Sequence, residues 1–219
     1  MGGWQTEMRL NATTRAYFER LAAMSGPEDA WRYRNIENPE ETEAIQQHFL
    51  ENYPYHYSVL RSSVVPTMID GGFRRNVIPS EASAVLDIRM LPDEDVDAFY
   101  DQMREIIDDP NVEVVPAAIY RPESPPSPVD NEMFQTIEAV AERMYPDATV
   151  LPTMSTGATD MAQVRAKGVP SYGLGAIRSV EEINSGNGAH GDNERVSEES
   201  VRQLVQFIWY TILDIGATR

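Results

Sequence analysis

Between residues 80 and 91 the chain alternates, with Ala82, Ala84, Leu86, Ile88 and Met90 on one side and Ser83, Val85, Asp87 and Arg89 on the other. A period of two is the signature of a half-buried β-strand. The period then changes. Val96, Phe99, Tyr100, Met103, Ile106 and Ile107 recur at helical spacing. Asp93 follows Pro92 as the expected N-cap, and Glu94 and Asp95 suit the first turn. Upstream, Val59 to Ile69 reads as extended and ends at the turn signal Asp70-Gly71-Gly72; downstream, Val112 to Val115 reads as a short strand. The order strand, strand, helix, strand over residues 59–116 predicts an α+β domain with an antiparallel sheet.

On the N-terminal side, residues 11–24 read as a helix with Ala12, Tyr17, Phe18, Leu21 and Met24 on one stripe. Residues 25–58 are polar and read as loop plus a helix near 40–50; their His48 and His56 are expected to be structural or solvated. Pro122, Pro125, Pro126 and Pro128 interrupt regular structure, which puts a domain boundary near 118–128. Beyond it the expected order is helix 130–145, a strand near 149–151, a helix near 159–167, a strand from Pro170 to Leu174, and a final helix. Ser197 would cap that last helix, with Val196 stapled onto Val201. Its stripe of Val201, Leu204, Val205, Ile208, Trp209, Ile212 and Leu213 would cover a sheet face. Alternating helix and strand predicts a parallel α/β layer. Two or three strands are too few to cover these helices, so the layer reads as incomplete.

Composition narrows the function classes. Of 219 residues, 18 are Lys or Arg and 35 are Asp or Glu, a net charge of −17. Such a surface disfavours nucleic acid and anionic membranes as partners. No cysteine is present, which removes disulfides and thiolate metal sites. No apolar run approaches the roughly 20 residues needed to cross a bilayer, and the first residues lack the layout of a signal peptide. A cytoplasmic protein is the expectation.

Three places can carry chemistry. His190 stands in a Gly-rich loop and heads His190-Gly191-Asp192-Asn193-Glu194, an imidazole beside two carboxylates; it is either a metal ligand or an idle loop histidine. Ser155-Thr156-Gly157-Ala158-Thr159-Asp160 precedes a helix and could hold an oxyanion on its amides, or could be an ordinary cap. Asn76 lies in a turn-like stretch, and Arg89 on its strand could grip a carboxylate or pair with Asp87.

Taken in order, these residues resemble a known family. Gly71-Gly72, Asn76-Val77-Ile78-Pro79, Leu86-Asp87-Ile88-Arg89 and Leu91-Pro92 are similar to the lid of the co-catalytic zinc aminoacylase, carboxypeptidase G, acetylornithine deacetylase and succinyl-diaminopimelate desuccinylase family. Thr156-Gly157-Ala158-Thr159-Asp160, Lys167-Gly168-Val169-Pro170 and His190 to Glu194 resemble the end of its catalytic domain. The resemblance implies an α+β lid (dimerisation) domain over residues 1–118, its first strand missing, then an incomplete α/β catalytic segment over 119–219. It implies that His190 holds one of two zinc ions, with cobalt or manganese as substitutes, and that Glu194 orients the ligand. Asn76 and Arg89 would reach a substrate carbonyl and carboxylate, across a homodimer formed through the lid, and Gly157 would line the pocket.

The implied reaction is hydrolysis of an amide in an N-acyl amino acid or small peptide. The family's His-x-Asp pair, bridging Asp and Glu-Glu elements find no match in these residues, and no general base is assigned. The chain is therefore expected to be an inactive fragment of such a dizinc amidohydrolase. The alternative is a non-catalytic dimerisation or regulatory module of the same descent.

Overall fold

The computed structural model describes residues 4–116, 124–186 and 188–217; Pro122, at the expected boundary, lies outside them. The chain divides into two compact units, residues 1–126 with 151–169 and residues 127–150 with 170–219.

The first unit opens with α1 (Ala12–Met24), started by a reciprocal capping box. The Asn11 side chain accepts from the Thr14 amide at 2.9 Å, and the Thr14 hydroxyl faces the Asn11 amide at 3.0 Å. The helix expected near 40–50 forms as α3 (Thr42–Asn52), but the parts of 25–58 expected to be loop are largely helical too, with α2 (Pro27–Asn35) before it and α4 (Pro54–Ser58) after it. Pro27 and Pro54 stand at helix starts, where a missing N–H costs nothing. These helices share one core. Phe18, Tyr33, Ile45, Phe49, Val59 and Leu60 are buried, and Phe18 stacks on Phe49 with ring centroids 5.9 Å apart.

From this core projects an antiparallel hairpin, β1 (Ser63–Gly71) and β2 (Ala82–Arg89). The alternation of residues 80–91 holds at the base, where Leu86, Ile88 and Met90 are partly buried between exposed Asp87 and Arg89. Further out both faces are open, and Val65, Met68, Ile69 and Val85 are each more than half exposed. The pairing slips by one residue between Pro66 and Met68: Pro66 pairs with Leu86 and Met68 with Val85, which leaves Thr67 as a bulge.

Helix α5 spans Val96–Ile107, as the spacing predicts, but its N-cap is Asp95, whose side chain accepts from the Ala98 amide at 3.0 Å. Asp93 is used elsewhere, in an ion pair with Arg9 at 2.6 Å. Ser62 closes the hairpin base, its hydroxyl accepting from the Leu91 amide at 3.0 Å. The expected strand at Val112–Val115 is not formed.

The second unit is a helix pair. Helix α6 (Glu132–Met144), capped by Asn131, packs on α9 (Glu198–Ala217) around Ile137, Val140, Ala141 and Phe207. Ser197 caps α9, its hydroxyl accepting from the Ser200 amide at 3.1 Å. Between them lies the short α8 (Val180–Asn184). The expected strands near 149–151 and 170–174 are absent, and the expected helix at 159–167 shortens to α7 (Met161–Arg165), which belongs to the first unit. No strand forms in the second unit among the described residues. The α9 stripe therefore covers no sheet: Val205, Trp209 and Ile212 are each more than half exposed. Val196 and Val201 are exposed as well and form no buried staple. The first unit is α+β with a small antiparallel sheet, as expected; the parallel layer of the second is not seen.

Candidate functional site

The hairpin positions two of the expected site residues. Asn76 lies in the exposed connection between β1 and β2, and Arg89 ends β2 at its opposite end. Seven residues of strand separate Ala82 from Arg89, roughly 23 Å at strand rise. One chain therefore does not bring Asn76 and Arg89 together. Arg89 is held by its neighbour on the same face: its Nε and Nη2 both donate to the Asp87 carboxylate, at 2.9 Å to Oδ2 in each case. Both side chains are about half exposed, so the fork is open to exchange with an incoming carboxylate.

Gly157 occupies a tight exposed turn. Its amide donates to the Ser155 hydroxyl at 3.1 Å, and the Met161 amide approaches the Thr159 hydroxyl at 3.4 Å. These are local side-chain turns within the segment, and Asp160, the N-cap of α7, makes no side-chain cap hydrogen bond. The space beside Gly157 is open except for Ser155 Oγ, 3.5 Å from where a Cβ would stand.

His190 sits on an exposed loop of the second unit with φ 68°, in the left-handed region that non-glycine residues adopt infrequently. Two turns support it. The Gly191 amide donates to the Gly188 carbonyl at 3.2 Å and the Glu194 amide to the Gly191 carbonyl at 3.0 Å. A Cβ on Gly191 would stand 3.2 Å from the Gly188 carbonyl oxygen, so a larger residue there would push the turn slightly open. The Glu194 carboxylate accepts from the main-chain amide of His190 at 3.1 Å. Glu194 thus braces the backbone that aims the ring, not the ring itself.

A zinc ion takes about four ligands, three or more from protein in most sites. No group of three or more His, Asp or Glu side chains gathers among the described residues. His190 offers one imidazole, and the Glu194 carboxylate beside it is engaged by the main chain. The residues described do not by themselves fit a zinc ion.

One constellation escaped the sequence reading. His56 of α4 is enclosed by Tyr17, Phe18, Tyr33, Phe49, Tyr53 and Tyr55, with ring centroids 5.2 to 6.1 Å away. Its Nε2 lies 3.2 Å from the Tyr33 hydroxyl and its Nδ1 3.4 Å from that of Tyr17. Burial lowers the His56 pKa, partly offset by the charge of Asp29, and burial pushes Tyr17 and Tyr33 up to about 12. The run Tyr53-Pro54-Tyr55-His56-Tyr57 was the available signal: aromatic density of that kind marks a core, not a solvated loop.

Comparison with known proteins bears on the hairpin most directly. Residues 15–115 match the family described as peptidase dimerisation domain. The chain is 24% identical over 170 residues to probable carboxypeptidase S-like 2 of Dictyostelium discoideum, covering 78% of this chain and 32% of that protein. It is 25% identical over 180 residues to the human N-fatty-acyl-amino acid synthase/hydrolase, covering 81% and 35%. It is 28% identical over 152 residues to human aminoacylase-1, covering 68% and 36%. The chain thus spans about a third of the length of these relatives. No solved structure gives a significant match.

Proposed function

The chain belongs to the metallopeptidase family of the aminoacylases and carboxypeptidases, and on that premise we propose that it contributes the lid and one metal-holding loop to a zinc-dependent amide hydrolase. The substrate is an N-acyl amino acid or small peptide with a free carboxylate. The named activities of the relatives support this class: an aminoacylase and an N-fatty-acyl-amino acid hydrolase both act on an amide next to an amino acid.

The observation that carries the reading is the hairpin. Residues matched to a dimerisation domain place Asn76 at one end and Arg89 at the other, too far apart to meet in one chain. A two-fold partner can bring one of them to a site built on the other subunit. In this reading Arg89 leaves Asp87 to take the substrate carboxylate bidentately, Asn76 donates to the substrate carbonyl, and the open turn at Gly157 borders the pocket. His190 would supply one ligand to a metal ion whose other ligands are not among the described residues. Zinc would supply the polarisation of the amide and the activation of water.

Complementation tests this. Co-expression with a polypeptide carrying the family's His-x-Asp and Glu-Glu elements is expected to give zinc-dependent hydrolysis of N-acyl amino acids. His190→Ala should abolish it and Arg89→Ala should lower kcat/KM at least a hundredfold. Full activity of His190→Ala would reject the assignment, and absence of any hydrolysis would favour the dimerisation or regulatory module.

A further inference from the structure

The loop that carries His190 has two arms, residues 179–185 and 195–197, and they are not packed tightly on each other. A cavity of about 150 Å³ is lined by both, with Glu182 and Ser185 from one and Val196 and Ser197 from the other. Ile183 and Val196 are 60% and 45% exposed, so these side chains supply little burial to fix the arms.

A single carboxylate bridges the gap. Glu182, on α8, accepts from the Ser179 amide at 2.8 Å through Oε2 and from the Ser197 amide at 3.1 Å through Oε1. The first bond is half of a capping box, since the Ser179 hydroxyl accepts from the Glu182 amide at 3.1 Å, and it sets the direction of the carboxylate. The second reaches 15 positions along the chain, to the residue whose hydroxyl caps α9. Because α9 packs on α6 through Phe207, Glu182 ties the first arm to a helix that the core of this unit holds. Hydrogen bonds from Ser179 and then Ser197 keep the carboxyl below the ordinary range, so both oxygens accept at neutral pH.

Beyond the clasp, the Ser185 hydroxyl donates to the Glu182 carbonyl at 2.7 Å, and Gly186 turns the chain with φ 72°. The bonds of the tip join residues 188–194 to one another and give it its shape; where the tip stands depends on its arms. The left-handed backbone of His190, φ 68°, persists while its surroundings impose it.

We infer that Glu182 is a positioning residue for His190, holding the loop that carries the imidazole through the amides of Ser179 and Ser197. The inference rests on the reading of His190 as a metal ligand and adds the residue that keeps the ligand in place. The role needs a carboxylate of this length. Gln offers one acceptor oxygen and turns an NH2 group towards the second amide, and Asp is a methylene too short to span both.

Amide hydrogen exchange on the full chain tests this, read by NMR at neutral pH with no metal added. Glu182→Gln should speed exchange at His190, Gly191, Glu194 and Ser197 at least tenfold, while the amides of α9 from Phe207 onward and the denaturation midpoint keep the parent values. Glu181→Gln removes the same charge from the neighbouring exposed position and should change none of these. In the enzyme reconstituted by complementation, Glu182→Gln should lower kcat at least tenfold and leave KM within about twofold. Equal exchange in the two variants overturns the inference. A loss of protection that spreads through α9 with a lowered midpoint overturns it too, since Glu182 would then support only the helix, and so does a reconstituted Glu182→Gln enzyme that keeps its kcat. The exchange measurement uses neither metal nor a second polypeptide, so its failure rejects the clasp and leaves the hydrolase reading standing. Full activity of His190→Ala rejects that reading instead, with the exchange result unaffected.

Discussion

His56 shows how one side chain reports on the core that holds it. Its half-buried ring stands among Tyr17, Tyr33, Tyr53 and Tyr55, and the carboxylate whose charge acts on it, Asp29, is already bonded by Tyr53 and Arg32. Because burial lowers the folded pKa below the ordinary 6.5, the unfolded chain binds the proton first as pH falls. Stability of the first unit is therefore full above about pH 6.5 and declines as pH drops from there towards the depressed folded value. Chemical denaturation monitored between pH 7.5 and 5, values chosen to bracket about 6.5, should show this slope, and His56→Phe should flatten it. A slope unchanged in the variant would mean the ring is solvated. At the alkaline end the sign reverses. Tyr17 and Tyr33, raised to about 12, contribute stability that is present below pH 10 and lost as pH climbs through the folded values. Only the run Tyr53-Pro54-Tyr55-His56-Tyr57 signalled this locally; the other rings come from α1, α2 and α3, and only the fold gathers them.

Among the elements, period was a sound guide and composition a poor one. Helices α1, α5, α6 and α9 and strand β2 follow the spacing of their apolar residues closely. Within residues 25–58 the helix near 40–50 was legible and formed as α3, but the flanking stretches misled because polar content and prolines read as loop, whereas Pro27 and Pro54 begin helices. The short runs at 112–115, 149–151 and 170–174 misled for the opposite reason: they are apolar enough for a strand but find no ladder partner, and a strand without one leaves its amides unpaired. The α6–α9 pair gives the element-scale prediction. Asn131 caps α6 by accepting from the Phe134 amide at 2.9 Å, and Phe207 is 8% exposed against Val140. Asn131→Ala should cost about 1 kcal/mol and Phe207→Ala about 3–5 kcal/mol in denaturant titration. Trp209→Ala, on the uncovered face of the same helix, should cost well under 1 kcal/mol.

For the whole molecule, the match to a dimerisation domain and the bare hairpin lead to the same expectation. Val65, Met68 and Val85 on one face of the hairpin, Ile69 on the other and Phe73 in the connection put apolar side chains into solvent, and apolar patches of this kind mark association sites. Sedimentation should find a dimer at micromolar concentration, weakened at least tenfold by Ile69→Glu with Phe73→Ser. The dimer should tighten with added salt, since each copy carries a charge of −17. A chain that stays monomeric throughout would remove the two-fold arrangement on which the roles proposed for Asn76 and Arg89 depend. The lid was the legible part of the candidate site because its residues lie in short ordered runs.

The unpaired Thr67 sets the roll of everything beyond it. With Thr67 present, Ile69 shares a face with Leu86 and Ala84, and Met68 shares the other with Val85. Excising that single residue would invert the parity of the outer strand, so that each side chain past it swapped sides relative to its neighbour strand. The connection that carries Asn76 would then be re-aimed by a lesion nine residues upstream that never touches it.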